Sequence, residues 1–162
     1  MTGVVVLCGN PRAGSRTLRV AEAAAGALGA TAPLVLDLAA LPAPFGPAAG
    51  TELAAPLAAV RGAEVLIVAS PTYKATYTGL LKAFFDLLPG PALAGVAAVP
   101  VMTAGGPRHA LAADVHLRPL LLELGAHTPT AALVVLEEEL PKLDEVVAAW
   151  AETAAPLVGA RG

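Results

Sequence analysis

The 162-residue sequence holds a single cysteine, Cys8. An internal disulfide needs two, and neither a CxxC exchange pair nor a thiolate metal cluster can be built from one. Cys8 closes an apolar run, which points to a buried structural thiol rather than a reactive one. Aromatics make up only 4% of the chain, so the core has to be assembled largely from Ala, Leu and Val. Charge is sparse too: 14% of residues are charged and the formal net charge is −3. Nucleic-acid binders and membrane-surface proteins ordinarily carry a basic excess, and this chain has none. No apolar stretch is long enough to span a bilayer. The start, Met1-Thr2-Gly3-Val4, lacks the basic segment and long apolar core of a secretion signal, so the expected location is the cytoplasm. His109, His116 and His127 share no metal-ligand spacing with a cysteine or carboxylate cluster, and no metal site is expected.

What the chain does have is apolar mass, 56% of its residues, enough for a sizeable core in one domain spanning 1–162. Five short apolar runs recur, at 4–7, 34–38, 65–69, 96–102 and 133–136. None alternates with polar residues, which is the pattern of strands covered on both faces of a parallel sheet. Helical patterns follow near 17–28, 51–61, 79–88, 111–124 and 143–158. The Pro- and Gly-rich stretch 42–50 reads as a surface loop. Strand and helix alternating in this way predict an α/β, flavodoxin-like three-layer doubly wound fold. Its five-stranded parallel sheet is expected in the order 2-1-3-4-5.

Ligands of such sheets bind beyond the carboxyl ends of the strands. The first loop there reads Gly9-Asn10-Pro11-Arg12-Ala13-Gly14-Ser15-Arg16-Thr17. Its small residues admit a ligand to the backbone, and Ser15 and Thr17 bring hydroxyls. Arg12 and Arg16 bring forked donors suited to phosphate oxygens. The next helix adds free N–H groups and its positive dipole end. Three residues after Ser15 and Thr17 stand Leu18 and Val20, so the carboxylate of a capping box is missing and an anion could take its place. The spacing Gly9 to Gly14 echoes a P-loop, but Ser15-Arg16 stands where Lys-Ser/Thr is needed. No GxGxxG is present either.

The third loop, Ser70-Pro71-Thr72-Tyr73-Lys74-Ala75-Thr76-Tyr77-Thr78-Gly79, offers a rigid turn and aromatics. The fourth, Thr103-Ala104-Gly105-Gly106-Pro107-Arg108-His109, offers glycines for close approach. A flat, electron-poor ring could lie between them. Arg12, Arg16, Lys74 and Arg108 gather in these loops of a net-negative chain, which suggests an anionic ligand.

Together these loops resemble the NAD(P)H-dependent FMN reductases, including the flavin-supplying components of two-component monooxygenases. The matching pieces are Gly9-Asn10-Pro11-Arg12 with Ser15-Arg16-Thr17, then Ser70-Pro71-Thr72-Tyr73-Lys74 through Leu80-Leu81-Lys82, then Thr103-Ala104-Gly105-Gly106. The stretch from His109 to Pro119 looks like that family's fourth helix. There the alkanesulfonate-linked branch inserts an aromatic, and this chain has Val115 and His116. The resemblance implies that Asn10, Arg12, Ser15, Arg16 and Thr17 surround the FMN phosphate. It places Pro71, Thr72, Tyr73 and Lys74 along the ring and ribityl chain, with Thr103, Gly105 and Gly106 on the other side. It implies NADPH or NADH as co-substrate, a homodimer or homotetramer, and a monooxygenase as possible partner.

Hydride transfer between two stacked rings needs no dedicated acid or base, so no catalytic side chain is named. Lys82 and Asp86 read as a helix-surface pair, Phe84 and Phe85 as core or subunit contact, and Glu137-Glu138-Glu139 as solvated carboxylates. Two alternatives use the same loops: an FMN-retaining quinone, azo or metal-ion reductase, and a flavodoxin-type electron carrier with no nicotinamide reaction of its own. The mild net charge and the two loop arginines weigh against the carrier.

Overall fold

Successive residues of a strand point to opposite faces, and in this chain both faces are apolar, so each strand can serve two layers at once. The computed structural model describes residues 1–159. Its strands β1 (Val4–Cys8), β2 (Leu34–Asp37), β3 (Val65–Pro71), β4 (Ala97–Ala104) and β5 (Leu133–Leu136) pair in parallel. Their order is β2-β1-β3-β4-β5, as the alternation of strands and helices predicts. Helices α1 (Arg16–Ala27) and α6 (Leu143–Gly159) cover one face, where Val4, Val6, Val65, Ile67 and Val101 meet Val20, Ala24 and Val147. The opposite face buries Val5, Leu7, Leu66 and Val68 under α3 (Ala54–Arg61), α4 (Gly79–Phe85) and α5 (Arg118–Glu123). Phe84 and Phe85 lie in that second layer, fully buried and edge to face at 6.0 Å. Each large side chain buried in this way contributes roughly 1.5–3 kcal/mol.

Prolines decide where the elements depart from the sequence expectation. The helix expected over 51–61 is broken at Leu53 into a single turn, α2 (Ala49–Glu52), and α3. Pro56 has no N–H to give back along the helix and its ring crowds the carbonyl of Glu52, which forces the break. The helix expected over 111–124 begins as a π turn, Ala113–Leu117, before α5. Pro119 cannot bond to the carbonyl of Val115, so the ladder widens just ahead of it. Pro100 sits in β4 between β3 and β5, an uncommon place for proline. The N–H of Ala98 points to the β5 side, where it bonds to the His127 carbonyl. Pro100, two residues on, faces the same side, but pairing with β5 resumes only at Val101. The missing donor therefore falls where residues 128–132 bow away from the sheet.

Candidate functional site

The carboxyl ends of β1, β3 and β4 open into a cleft of about 510 Å³. That lies within the ~300–1,000 Å³ usual for small-molecule sites. Three loops wall it: the one between β1 and α1, the one between β3 and α4, and the start of the one after β4. A 3-10 turn after β5, Glu137–Lys142, closes its rim with Glu137 and Leu140.

The first loop is folded by its own polar groups. Asn10 Oδ1 accepts from the Arg12 N–H at 2.9 Å, turning the chain sharply at Pro11. Asn10 Nδ2 donates to Thr17 Oγ1 at 3.1 Å, and that hydroxyl shares a second bond with Thr103 Oγ1 at 2.7 Å. All three side chains are buried, so this network ties the first and fourth loops together from beneath. Gly14 has φ +62°, a conformation that favours glycine, and its N–H donates to Asp37 Oδ2 at the end of β2 at 2.9 Å. Gly9 is needed for a different reason: a Cβ there would lie 2.6 Å from the Leu81 Cβ.

What the loop leaves over is a set of donors suited to an anion. Ser15 caps α1, its Oγ accepting from Leu18 N–H at 3.2 Å and its carbonyl from Arg19 N–H at 3.2 Å. The N–H groups of Arg16 and Thr17, the first two of the helix, have no intrahelical acceptor and remain available. No acidic residue stands in the first turn. The side chains of Arg12 and Arg16 are exposed on the cleft wall. Cys8, fully buried below Ser15, has its thiol pKa pushed up by burial, which leaves it protonated and unreactive near neutral pH.

The third loop is anchored as firmly. Thr78 caps α4 by accepting from Leu81 N–H at 3.2 Å, and its hydroxyl donates to the Gly9 carbonyl. Ser70 Oγ accepts from Thr78 N–H at 3.0 Å. Between them the chain makes a tight hairpin: Tyr73 and Thr76 exchange backbone bonds at 2.8 and 3.2 Å. Lys74 and Ala75 at its tip have φ of +51° and +69°. Positive φ in two successive non-glycine residues stores strain, of the kind that gathers at functional sites. The turn presents Tyr73, 45% exposed, on the cleft wall. Beside it the Thr72 hydroxyl is buried and has no hydrogen-bond partner among the described residues. Across the cleft a Cβ added at Gly105 would meet nothing within 4 Å, so the protein's own packing leaves that space free.

Of the twelve residues expected from the sequence to hold a cofactor, ten line this cleft; Lys74 and Gly106 do not. Lys74 forms the hairpin tip, and Gly106 leads into the 3-10 turn Pro107–His109. Thr17 lies at the cleft, but both bonds of its hydroxyl are made within the protein. Glu137 is the residue the sequence left among solvated carboxylates. It stands on the cleft rim with Oε1 2.8 Å from Arg16 Nη2. Nothing local marks it, because the contact spans 121 positions of chain. Lys82 and Asp86 form the expected pair on α4, and that contact raises the lysine's pKa.

The donors and space left over fit FMN. A phosphate suits the paired guanidinium groups and the two unpaired helix N–H groups at one end. A flat ring suits the slot beside Thr72, Tyr73 and Gly105, where the buried Thr72 hydroxyl has no hydrogen-bond partner among the described residues. A family model described as NADPH-dependent FMN reductase matches residues 2–140. The chain is 35% identical to the FMN reductase (NADPH) of Pseudomonas aeruginosa, over 98% of this chain and 93% of that one. It is 34% identical to the NADH-dependent FMN reductase SfnF of Pseudomonas fluorescens, over 96% and 91%. Among solved structures, the apo form of the NADH:FMN oxidoreductase EMOB superposes with a TM-score of 0.77 at 33% identity. That match covers 92% of this chain and 88% of the other. The match in sequence runs through the same loops that build the cleft, and the chain belongs to the NADPH-dependent FMN reductase family.

Proposed function

We propose that the protein transfers hydride from NADPH or NADH to FMN held in this cleft, and that the reduced flavin then leaves for a partner monooxygenase. The observation that carries the reading is the pairing of an anion site at the start of α1 with an unpartnered Thr72 hydroxyl in one cleft of about 510 Å³. Bound FMN would supply the hydride-accepting ring, and the chain's residues bind and orient it. Arg12, Arg16 and the first N–H groups of α1 hold the phosphate. Thr72 offers the ring or ribityl chain a hydrogen bond. Tyr73, on its strained turn, flanks the open side where a nicotinamide can stack. Asn10, Thr17 and Thr103 act one step back, fixing the loops relative to each other. No side chain is required to move a proton.

In this reading the whole chain serves as one FMN-binding domain in the cytoplasm. Among the described residues, no helix is long and apolar enough to cross a membrane. The exposed side chains Leu111, Val115 and Leu122 favour assembly into a homodimer or homotetramer. The exposure of the phosphate-binding arginines favours an exchanging flavin over a retained one.

The test follows NADPH and NADH oxidation by flavin-stripped protein, with and without FMN. Saturable, FMN-dependent oxidation is expected with at least one nicotinamide. Arg12→Ala should raise the KM for FMN by about tenfold, since a charge-assisted bond to phosphate contributes ~1.5–3 kcal/mol before solvent screening. Absence of FMN-dependent oxidation with both nicotinamides would overturn the reading.

A further inference from the structure

The phosphate end of the cleft is not uniformly positive. Arg16 Nη2 is already engaged by Glu137 Oε1 at 2.8 Å, with both side chains more than half exposed. Glu137 holds this place because the turn that carries it is pinned. Glu139 Oε2 accepts from the Leu136 N–H at 2.7 Å, closing the 3-10 turn onto the end of β5. Leu140, from the same turn, packs against the core face that holds α1 and α6. A carboxylate is thus built into the wall of a site whose other members select an anion.

We propose that Glu137 competes with the flavin phosphate for Arg16 and thereby sets the exchange of FMN. This rests on the reading of the cleft as an FMN site. With the cleft empty of phosphate, the carboxylate occupies one nitrogen of the guanidinium. An arriving dianion must take Arg16 from it and then sit close to a like charge. A single exposed contact costs little to break, so the pair delays no binding event by itself. The repulsion remains for as long as the phosphate is bound, and it weakens the hold on FMN. The opposite role, with Glu137 orienting Arg16 for the phosphate, needs a rigid contact. One bond between two side chains that are 60% and 53% exposed is not rigid. A carrier of reduced flavin needs release, and a carboxylate on the phosphate's own arginine provides it without altering the ring slot.

Equilibrium titration of flavin fluorescence separates the possibilities, using FMN and riboflavin, which lacks the phosphate. Glu137→Gln should bind FMN about three- to tenfold more tightly, as expected for removing one solvent-screened charge near a dianion. Riboflavin affinity should move by less than about twofold, because no phosphate meets the carboxylate. Glu138→Gln makes the same change in net charge at the next residue, which neither lines the cleft nor contacts Arg16, and should leave FMN affinity unchanged. In an Arg16→Ala background the gain from Glu137→Gln should shrink, because the share that comes from freeing the guanidinium is gone and only the screened repulsion remains. Unchanged or weaker FMN binding by Glu137→Gln overturns the proposal while leaving the FMN site standing. An equal gain in riboflavin, or a full gain without Arg16, overturns it as well. Failure of the unaltered protein to prefer FMN over riboflavin removes the phosphate site itself, and the proposal with it.

Discussion

Thr17 is 1% exposed and its hydroxyl accepts from Asn10 and shares a bond with Thr103, while Arg12 on the loop and Arg16 at the start of α1 lie open. The loop therefore divides its polar residues between holding shape and meeting a ligand, and the division follows burial. Thr17→Val keeps the volume and removes the acceptor, leaving the buried Asn10 amide without its partner. Chemical denaturation should show a loss of about 1–3 kcal/mol, the cost of orphaning one buried polar group. FMN binding should weaken with it, as the two loops lose their link. A variant of unchanged stability that still loses FMN would instead place the Thr17 hydroxyl on the phosphate. At this scale the sequence is legible where chemistry is local. The arginine pair and the buried thiol follow from residue type and near neighbours, whereas of the two hydroxyls that could cap α1, Ser15 does and Thr17 lies inside the helix. Glu137 was illegible, because its meaning comes from Arg16, which lies across the sheet in a different loop.

Elements are bounded by what their prolines and turns allow, and two of them show why strands read more clearly than helices. The five apolar runs stand within a few residues of the observed strands, since burial on both faces leaves no choice of pattern. Helical periodicity over 111–124 is equally clear, yet it conceals the π turn, because the inward residues Ala113, Leu117 and Leu121 keep an even four-residue spacing through it. The hairpin at Lys74-Ala75 was hidden for the opposite reason: neither residue is the Gly or Asn that normally announces such a turn. The π turn has a supporting residue. Arg118 grips Asp114 through Nε and Nη2 at 2.8 and 2.7 Å, and donates to the carbonyls of Thr128 and Thr130 at 3.2 and 2.9 Å. Those carbonyls belong to the segment that bows away from the sheet beside Pro100. One side chain thus satisfies backbone that the interrupted β4–β5 ladder leaves unpaired. Arg118→Ala should cost about 2–3 kcal/mol in urea unfolding, more than any exposed ion pair is worth. Arg118→Lys should recover only part of it, since an ammonium lacks the fork that spans two carbonyls. Equal stability for all three proteins would mean that water serves those carbonyls as well.

For the whole molecule, the apolar excess that builds two core layers also reaches the surface. The side of the 111–122 segment that packs inward buries Ala113, Leu117 and Leu121. Its outer side carries Leu111, Val115 and Leu122, exposed at 71%, 58% and 50% and spaced by four and seven residues. Scattered exposed leucines need no explanation, but three along one side of a helical segment form a stripe with a shape to match. Symmetric pairing of two copies would bury the stripe against itself, and it would do so on the face of the sheet opposite α1 and α6. The cleft, at the carboxyl edge of the strands, would remain open to flavin. Sedimentation velocity of the unaltered protein should therefore show a dimer or tetramer. Val115→Arg, which places like charges at the centre of the stripe in both copies, should sediment as a monomer. Its thermal unfolding should lose the dependence on protein concentration that an associating native state must show. The arginine lies on an exposed side chain's site, so the monomer should keep its fold and its FMN titration. An unaltered protein that sediments as a monomer at all concentrations would end the assembly reading, and the stripe would then be a surface the fold simply tolerates.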